Sequence, residues 1–268
     1  MTPTPELTRL IDAHPGMPER RTGLAIVFYH VHQDSNPFHR LQGKEKPDYT
    51  AAIRASVTAA HQIHPGALIV MLTDLTTTFD ADLPMTIIPL PVKPEWLMYE
   101  RTRCQLAFTQ CWQGYALHID TDVVIRKSFD PVFNLPIDFA VTWRGDFLGQ
   151  HINGGMLICK TPQRFAAFMA DFVRNYDLTC QQKGWEDWDL HCFRGGQLTL
   201  ARMFPITNEY LDRIYPTRWG AVFLIPTQHI NWSYEDPPTS PDATAAYAWH
   251  YKGAKKRYLP KHITQPAA

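Results

Sequence analysis

Apolar runs alternate with amphipathic segments along the first half of the chain. The amphipathic segments TPELTRLIDAH, PDYTAAIRASVTAAHQIHPG and PEWLMYERTRCQLAFTQCW predict helices, and Asp48 is the expected cap of the second. Between them, apolar residues fill nearly every position, as is typical of strands buried on both faces, in GLAIVFYHV, ALIVMLTD, MTIIPL and GYALHI. This alternation predicts a mostly parallel central sheet with helices on both faces.

The second half of the chain is less regular. DFAVTW, GGMLICK and AVFLIP predict further strands, and TPQRFAAFMADFVRNYD predicts a helix that follows Thr161. We also expect a small mixed sheet in the C-terminal half, next to the central one. Because the sequence shows no repeat and no clear linker, its 268 residues are expected to form a single α/β domain.

Composition narrows the classes of function. The chain has 26 basic and 26 acidic residues, so bulk attraction to nucleic acid or to an anionic membrane is not expected. It has neither the apolar core of a signal peptide nor a run of about 18 apolar residues, so we expect no membrane span. Five scattered cysteines without a CxxC pattern are typical of a reduced, cytoplasmic protein.

The C-terminal end differs from this neutral average. Residues 243–268 contain no acid and five basic residues, Lys252, Lys255, Lys256, Arg257 and Lys261. Such a segment holds phosphate or is a solvated tail, and composition alone leaves both interpretations open. Membrane contact through Lys255, Lys256, Arg257 and Tyr258 would lack the support of an amphipathic helix.

An acid pair follows the strand GYALHI. Asp120 and Asp122 stand at the carboxyl end of that strand, and Asp74 follows ALIVMLT in the same way. In open α/β sheets ligands bind beyond this end of the strands. The pair is also compatible with two exposed acids in a turn. A calcium loop is excluded, because Val124 and Ile125 occupy the positions of its third ligand and its glycine.

Three further hypotheses remain for the acid pair. A divalent metal held by two carboxylates can bind a nucleotide diphosphate, since Mg²⁺ and Mn²⁺ prefer carboxylate and phosphate oxygens. DTDVV also matches the opening of haloacid-dehalogenase-type phosphatases, with Asp120 as nucleophile, although 119 residues precede it here. The third hypothesis is an inactive nucleotide-sugar-binding module.

Several motifs occur in a particular order along the chain. They are YERTRCQL, HIDTDVVI, INGGMLICK, WEDWDLHC and WHYKGAKK. In this order they resemble the family-8-like retaining glycosyltransferases of the GT-A fold, over roughly residues 103–256. The resemblance implies a Rossmann-like GT-A sheet, with a nucleotide-binding half of about residues 20–125 and an acceptor and metal-completing half of about 126–260.

The resemblance also implies site residues. Asp120, Asp122 and His250 would be ligands of Mn²⁺ or Mg²⁺, and an imidazole with two carboxylates suits such an ion. Lys256 and the Gly253 amide would hold the diphosphate, because glycine lets the backbone approach phosphate closely. Further expected nucleotide-sugar contacts are Tyr29, His30, Val31, Asp74, Arg103, Thr121, Asn153 and Gly155.

One departure concerns the reacting sugar. Asp187, Trp188 and Asp189 replace the family's DQD segment, so either acid is a candidate to orient the donor sugar or to act as general base. Trp185 and Trp188 either stack on the acceptor ring or belong to the core. The implied reaction transfers a sugar from a UDP-sugar or related donor, with retention. The expected acceptor is a saccharide or lipopolysaccharide, with a hydroxymethylated DNA base as the alternative.

Overall fold

The computed structural model describes the chain in several stretches, which are residues 4–32, 49–144, 151–184, 187, 195–204, 213–233, 241–252, 255–256 and 258–259. Seven residues singled out by the sequence lie outside these stretches: the expected cap Asp48, the basic residues Arg257 and Lys261, and the expected site residues Trp185, Trp188, Asp189 and Gly253.

The described residues form an α/β fold. The strands are β1 (Leu24–Tyr29), β2 (Leu68–Thr73), β3 (Thr86–Pro89), β4 (Tyr115–Ile119), β5 (Val123–Ile125), β6 (Phe139–Trp143), β7 (Ile152–Cys159), β8 (Ile214–Thr217), β9 (Gly220–Pro226), β10 (Trp232–Ser233) and β11 (Ala248–His250). The helices are α1 (Thr4–Asp12), α2 (Tyr49–Ile63), α3 (Leu97–Cys111, after a 3₁₀ turn at Pro94–Trp96), α4 (Asp130–Phe133), α5 (Pro162–Lys183), α6 (Gly195–Met203), α7 (Thr227–Ile230) and α8 (Pro241–Ala245).

The central sheet is mostly parallel, as the alternating pattern predicted. Its eight strands run in the order β3-β2-β1-β4-β7-β6-β9-β8. The first four are mutually parallel and β6 is parallel to β9, whereas β7 and β8 run against their neighbours.

The second sheet is small and mixed, as predicted. It has the order β10-β11-β5, with β10 parallel and β5 antiparallel to β11. Its strand β5 was not anticipated, because the three residues Val123–Ile125 directly follow the acid pair and resemble a continuation of the turn.

Continuous apolar strands are explained by burial on both faces. Ala25, Val27 and Tyr29 of β1 point into a core with α1, α3, α5 and α6. Ile26 and Phe28 point into a second core with α2 and with β5 of the small sheet. Since side chains alternate along a strand, a sheet covered on both sides requires apolar residues at every position.

One edge of the sheet gathers the polar residues. The parallel strands β1, β2, β4 and β6 end at this edge, and the antiparallel strand β7 begins there. His30, Asp74, Asp120 and Arg144 follow the four strand ends, and Asn153 lies near the start of β7. The fold therefore places residues from distant parts of the sequence along one edge.

Two further observations concern the chain as a whole. Among the described residues, no helix combines the length and apolar character that crossing a membrane requires. The four cysteines that the structure describes, Cys104, Cys111, Cys159 and Cys180, are free thiols.

Candidate metal and nucleotide site

The backbone of the acid turn is held from several directions. Asp120 N donates a hydrogen bond to Gly155 O of β7 (2.9 Å), and Val123 N donates to Asp120 O (3.1 Å). The hydroxyl of Ser56 on α2 donates to Thr121 O (2.8 Å). Strand β7, helix α2 and the turn itself all hydrogen-bond to this backbone. The main-chain positions of Asp120 and Asp122 are therefore fixed, and with them the starting points of the two carboxylate side chains.

The small sheet brings His250 to the acid pair. β11 pairs with β5 so that His250 lies opposite Val123, and Tyr251 N donates to Asp122 O (2.9 Å). One ligand atom from each of Asp120, Asp122 and His250 lies within 4.8 Å of the others. Within the cluster, His250 Nε2 lies 3.2 Å from Asp122 Oδ1. A strand ladder thus juxtaposes residues that are far apart in sequence.

Gly155 packs directly on this cluster. A Cβ at this position would lie 2.6 Å from His250 Cε1 and 2.9 Å from Asp120 Oδ2. Only glycine leaves room for the imidazole and the carboxylate in this arrangement. The Gly155 amide donates to Asn153 Oδ1 (2.8 Å), while the buried Asn153 Nδ2 has no hydrogen-bond partner among the described residues.

Each carboxylate also contacts a cation. The Arg101 guanidinium donates to Asp120 Oδ1 and, through its other terminal nitrogen, to Gly154 O (3.3 Å). Lys256 Nζ lies 3.0 Å from Asp122 Oδ2. Each acid therefore turns one oxygen toward a cation and the other toward the cluster.

The charges of Asp122 and Lys256 stabilise each other. Burial alone would raise the pKa of Asp122, but the Lys256 ammonium and then His250 hold that pKa well below its usual range. Burial would likewise lower the pKa of Lys256, and the carboxylate of Asp122 raises it instead. Both groups are therefore charged at neutral pH.

The ligand set suits a divalent cation. Two carboxylate oxygens and an imidazole nitrogen are acceptable ligands for Mn²⁺ or Mg²⁺. Atoms 3.2 Å apart, such as His250 Nε2 and Asp122 Oδ1, can both reach one ion at about 2.1 Å. The other ring nitrogen, Nδ1, is buried and has no hydrogen-bond partner among the described residues. These features fit a metal without specifying which one.

A cavity of about 380 Å³ lies beside the cluster. Its wall includes the rings of His30, Tyr49 and Phe79, with the His30 centroid 5.4 Å from that of Tyr49 and 6.1 Å from that of Phe79. Lys256 Nζ lies 4.7 Å from the centre of the Tyr49 ring. Lys256 thus links the aromatic cavity to the acid pair.

The turn after β2 forms another part of the cavity wall. Asp74 is buried and accepts hydrogen bonds from the amides of Thr76 (3.3 Å) and Thr77 (3.1 Å). Burial acts to raise the pKa of Asp74, but the hydrogen bonds from Thr76 and Thr77 together lower it. Thr77 Oγ1 in turn accepts from His32 N (2.8 Å). Asp74 therefore holds the turn that forms the wall, but it does not itself line the cavity.

Several expected nucleotide contacts lie elsewhere. Of Tyr29, His30 and Val31, His30 alone lines the cavity, whereas the other two belong to a hydrophobic core. Thr121 contributes a carbonyl that Ser56 binds. A nucleotide contact by Tyr29, Val31 or Thr121 stays a prediction that no observed interaction supports.

The two arginines of α3 have different partners, and the expected contact of Arg103 with the nucleotide-sugar stays a prediction. Arg103 NH1 binds Glu100 Oε2 (2.7 Å) in a buried i,i+3 pair, and Arg101 contacts Asp120. Residues two positions apart point in different directions on a helix, so spacing from the acid pair did not distinguish them. The Glu100–Arg103 spacing could have indicated the difference, because an i,i+3 ion pair on a helix occupies Arg103 and not Arg101.

Asp187 is exposed just after α5, and its expected role next to the donor sugar stays a prediction. Sequence reasoning missed the ring of Tyr49 and that of Phe79, which lie outside any recognised motif.

Comparison with known proteins identifies the fold. No protein-family model and no curated protein sequence matches the chain. A glycosyltransferase involved in the glycosylation of the major capsid of PBCV-1 is similar in structure, with a TM-score of 0.51 and 12% identity over 90% of this chain and 100% of its own. An active-site mutant of LgtC gives a TM-score of 0.51 and 13% identity over 90% of this chain and 96% of its own. GlyE of Streptococcus pneumoniae TIGR4 gives a TM-score of 0.53 and 9% identity, over 91% of this chain and 61% of GlyE.

These similarities show the fold of the chain. The chain has the α/β fold of GT-A glycosyltransferases, as the resemblance in its motifs implied. The phosphatase hypothesis for Asp120 is not favoured, because Asp120 follows the fourth strand of the chain.

Proposed function

We propose that the chain is a glycosyltransferase that moves a sugar from a nucleotide-diphospho-sugar to an acceptor hydroxyl. The observation that carries this proposal is the position of Lys256. Its ammonium lies 3.0 Å from Asp122 Oδ2 in the acid–histidine cluster and 4.7 Å from the Tyr49 ring in the cavity. A nucleoside in the cavity would therefore have its diphosphate next to both Lys256 and the cluster.

The cavity would bind the nucleoside. Aromatic rings bind a base by stacking, and His30, Tyr49 and Phe79 provide such rings. Thr77 and Thr78 line the same wall, and threonine hydroxyls suit polar groups of a ribose or a base. About 380 Å³ lies within the usual range for small-molecule sites. We propose UDP as the nucleotide, in keeping with the family that the motifs resemble.

Asp120, Asp122 and His250 would hold the metal, which we propose to be Mn²⁺ or Mg²⁺. When bound, such an ion neutralises charge that develops on the leaving diphosphate. The chain adds its own positive charge at this place through Lys256, and the Gly253 amide is expected to assist it. Arg101 donates to Asp120 Oδ1, so Asp120 Oδ2 stays directed toward the cluster.

The reaction exchanges one bond at the anomeric carbon for another. The bond to the diphosphate oxygen breaks, the acceptor oxygen bonds to the carbon, and the acceptor proton passes to the departing phosphate. Retention is proposed from the resemblance, and NMR of the product anomer tests it. Asp187 or Asp189 would orient the donor sugar, and Trp185 and Trp188 would stack on the acceptor.

A thermal-shift screen tests the proposed donor class. UDP-, GDP- and CDP-sugars are added to the protein with and without Mn²⁺, because a ligand that binds the native state raises the midpoint of unfolding. We expect a UDP-sugar to raise the midpoint only when Mn²⁺ is present, and the shift to disappear in Asp122→Ala. A chain that responds to none of the sugar nucleotides would contradict the proposal.

A further inference from the structure

The two carboxylate oxygens of Asp122 have different partners. Oδ1 lies 3.2 Å from His250 Nε2, and Oδ2 lies 3.0 Å from the ammonium of Lys256. All three side chains are largely buried, so water screens the attraction between the carboxylate and the ammonium only weakly. Lys256 therefore gives Asp122 a positive charge of the kind that a metal ion would also bring.

A divalent ion bound to Asp122 would be a close neighbour of Lys256. Such an ion lies about 2.1 Å from its oxygen ligands. The ammonium lies 3.0 Å from one oxygen of the same carboxylate. Two like charges on one buried carboxylate repel each other strongly. Lys256 and the ion therefore compete for Asp122.

The charges around the acid pair are already balanced. The carboxylates of Asp120 and Asp122 face the guanidinium of Arg101 and the ammonium of Lys256. A divalent ion alone would leave an excess of positive charge in a buried place, which is unfavourable. An ion that arrives with a diphosphate, with about one negative charge on each phosphate, would restore the balance. Charge thus favours an ion and a diphosphate together over an ion alone.

Lys256 has a second favourable position close to the first. Its Nζ lies 4.7 Å from the centre of the Tyr49 ring, in the wall of the cavity. Lysine carries its charge on a flexible four-carbon stem, so rotations within the side chain can move the ammonium from Asp122 toward the cavity. The face of the Tyr49 ring and a diphosphate would both stabilise the ammonium there.

Arg101, the cation next to Asp120, is held at two points. One terminal nitrogen of its guanidinium donates to Asp120 Oδ1, and the other donates to Gly154 O of β7 (3.3 Å). The side chain is also buried. A planar guanidinium that is anchored to the main chain keeps its place beside the carboxylate. Arg101 is therefore a fixed partner of Asp120, whereas Lys256 can exchange partners.

We propose that Lys256 is an exchangeable counter-ion that couples metal binding to donor binding. Lys256 neutralises Asp122 before the donor binds, and it releases Asp122 to the ion when the donor diphosphate offers the ammonium a new partner. This inference rests on the proposed glycosyltransferase function and adds the regulation of its metal site. The ion alone then binds weakly, and the ion and UDP strengthen each other's binding by the same factor.

Titrations of Mn²⁺ with and without UDP test the inference. Electron paramagnetic resonance gives the dissociation constant of Mn²⁺ for the unmodified chain, Lys256→Gln and Lys256→Met, of which the last keeps an unbranched apolar stem beside Tyr49. Both variants should bind Mn²⁺ alone about tenfold more tightly, because the competing charge is gone. Both should bind UDP with Mn²⁺ about tenfold more weakly, because a charge-assisted contact is lost. Mn²⁺ alone bound no more tightly by either variant would overturn the inference.

Two further variants separate this role from general charge effects. Lys93→Gln removes a lysine that also lies over an aromatic ring, 4.5 Å from the centre of Trp96, but that follows β3, three strands from β4. It should leave both dissociation constants unchanged. Arg101→Gln should weaken Mn²⁺ binding with and without UDP, because Asp120 loses its fixed partner. Tighter Mn²⁺ binding by Lys93→Gln or Arg101→Gln would mean that any positive charge opposes the ion, which would overturn the particular role of Lys256.

Two outcomes distinguish this inference from the proposed function. If the unmodified chain binds no Mn²⁺ even in the presence of UDP, the donor proposal itself fails. If both Lys256 variants weaken Mn²⁺ binding by the same factor with and without UDP, Lys256 only supports the position of Asp122. The counter-ion inference is then overturned while the donor proposal stands.

Discussion

The acid–histidine cluster and the aromatic cavity lie side by side and are built differently. In the cluster, main-chain hydrogen bonds join Asp122 to Tyr251 and Asp120 to Gly155, so strand ladders set the positions of the ligands. In the cavity, the lining comes from α2, from the end of β1 and from the turn after β2. Side-chain contacts hold that wall together, including the ion pairs of Arg54 with Asp80 and Asp82.

This difference indicates how well each region tolerates substitutions. A metal requires ligand positions within a fraction of an ångström, and strands provide such precision better than loops do. Stacking on a base accepts a range of positions, so a wall built from loop and helix side chains is sufficient. Changes in the cluster should therefore abolish function, whereas changes in the cavity should adjust affinity.

The largest effect is expected from Asp122→Ala. This variant removes a ligand and the partner of Lys256, so Mn²⁺-dependent release of UDP from a UDP-sugar should fall about 10³-fold, as when charge stabilisation is lost elsewhere. The rate is measured with a coupled assay for UDP. Asp12→Ala, an exposed acid at the end of α1, is the control and should retain the rate. UDP release that persists in Asp122→Ala contradicts the metal assignment.

Gly155→Ala tests the close packing of the cluster. The new Cβ would lie 2.6 Å from His250 Cε1, so we expect a loss of about 1–3 kcal/mol in unfolding free energy, together with about 10–100-fold weaker Mn²⁺ binding. Urea unfolding and Mn²⁺ titration measure the two effects. At Gly66 a Cβ would meet nothing within 4 Å, so Gly66→Ala is the matched control. Unchanged metal affinity in Gly155→Ala would show that the ligands are not confined as described.

The cavity should respond to Tyr49→Ala with a smaller change. Loss of the ring removes a stacking surface worth about 1–2 kcal/mol, so the dissociation constant of UDP with Mn²⁺ should rise roughly tenfold. The maximal rate should change less than the affinity, because the acid–histidine cluster remains. Calorimetric titration measures the affinity, and Tyr115→Ala on β4, distant from the cavity lining, controls for loss of an aromatic residue. An unaltered affinity would place the nucleoside elsewhere.

His30 provides a pH test of the cavity. Burial, and then the nearby charges of His32 and Lys256, lower the pKa of His30 to about 4. Between this value and the ordinary pKa of about 6.5, the unfolded chain binds a proton at His30 that the folded chain does not. The unfolding free energy attributable to His30 should thus decrease as pH falls through this window, by about 1–2 kcal/mol given the partial exposure of the ring.

A comparison of two chains isolates this contribution. Urea unfolding of the unmodified chain and of His30→Gln is measured from neutral pH down to about pH 4.5, and the difference between them should decrease toward acid. A difference that does not vary with pH would mean that His30 is as open to water in the folded chain as in the unfolded one.

Arg54→Gln should give the smallest change. It removes the ion pairs with Asp80 and Asp82, which join α2 to the cavity wall but are exposed to water. Water screens exposed ion pairs strongly, so UDP affinity should weaken at most a few-fold, and less at high salt. Arg54→Lys should restore part of the affinity. A loss as large as that of Tyr49→Ala would mean that the wall depends on this arginine far more than its exposure indicates.

The pattern of apolar residues predicted the fold, because burial in the core requires that pattern. Strands buried on both faces must be apolar throughout, and such runs were visible in the sequence as β1, β2 and β4. The apolar run of β3 predicted the same burial, but β3 lies at the end of the sheet and only Ile88 of its four residues is buried. The acid pair and WHYKGAKK predicted the cluster of Asp120, Asp122 and His250, which the structure brings together. These motif residues are themselves the candidate metal ligands, so their identity was sufficient to predict the cluster.

The remaining site could not be predicted in the same way. Spacing from the acid pair does not reveal which arginine of α3 contacts Asp120, because that depends on the rotation of the helix. Tyr29 and Val31 alternate with His30 and therefore face the core, not the cavity. Tyr49 and Phe79 enter the cavity from separate segments without a motif, and only the folded arrangement of those segments shows that they meet.

Counting bound Mn²⁺ tests the central claim most directly. Electron paramagnetic resonance distinguishes free from bound Mn²⁺, so titration of the protein in the presence of UDP gives the number of sites. The account predicts one site per chain in the unmodified protein and in Asp12→Ala, and loss of that site in Asp122→Ala and His250→Ala. Retention of tightly bound Mn²⁺ in both of these variants would contradict the assignment of the metal to Asp120, Asp122 and His250.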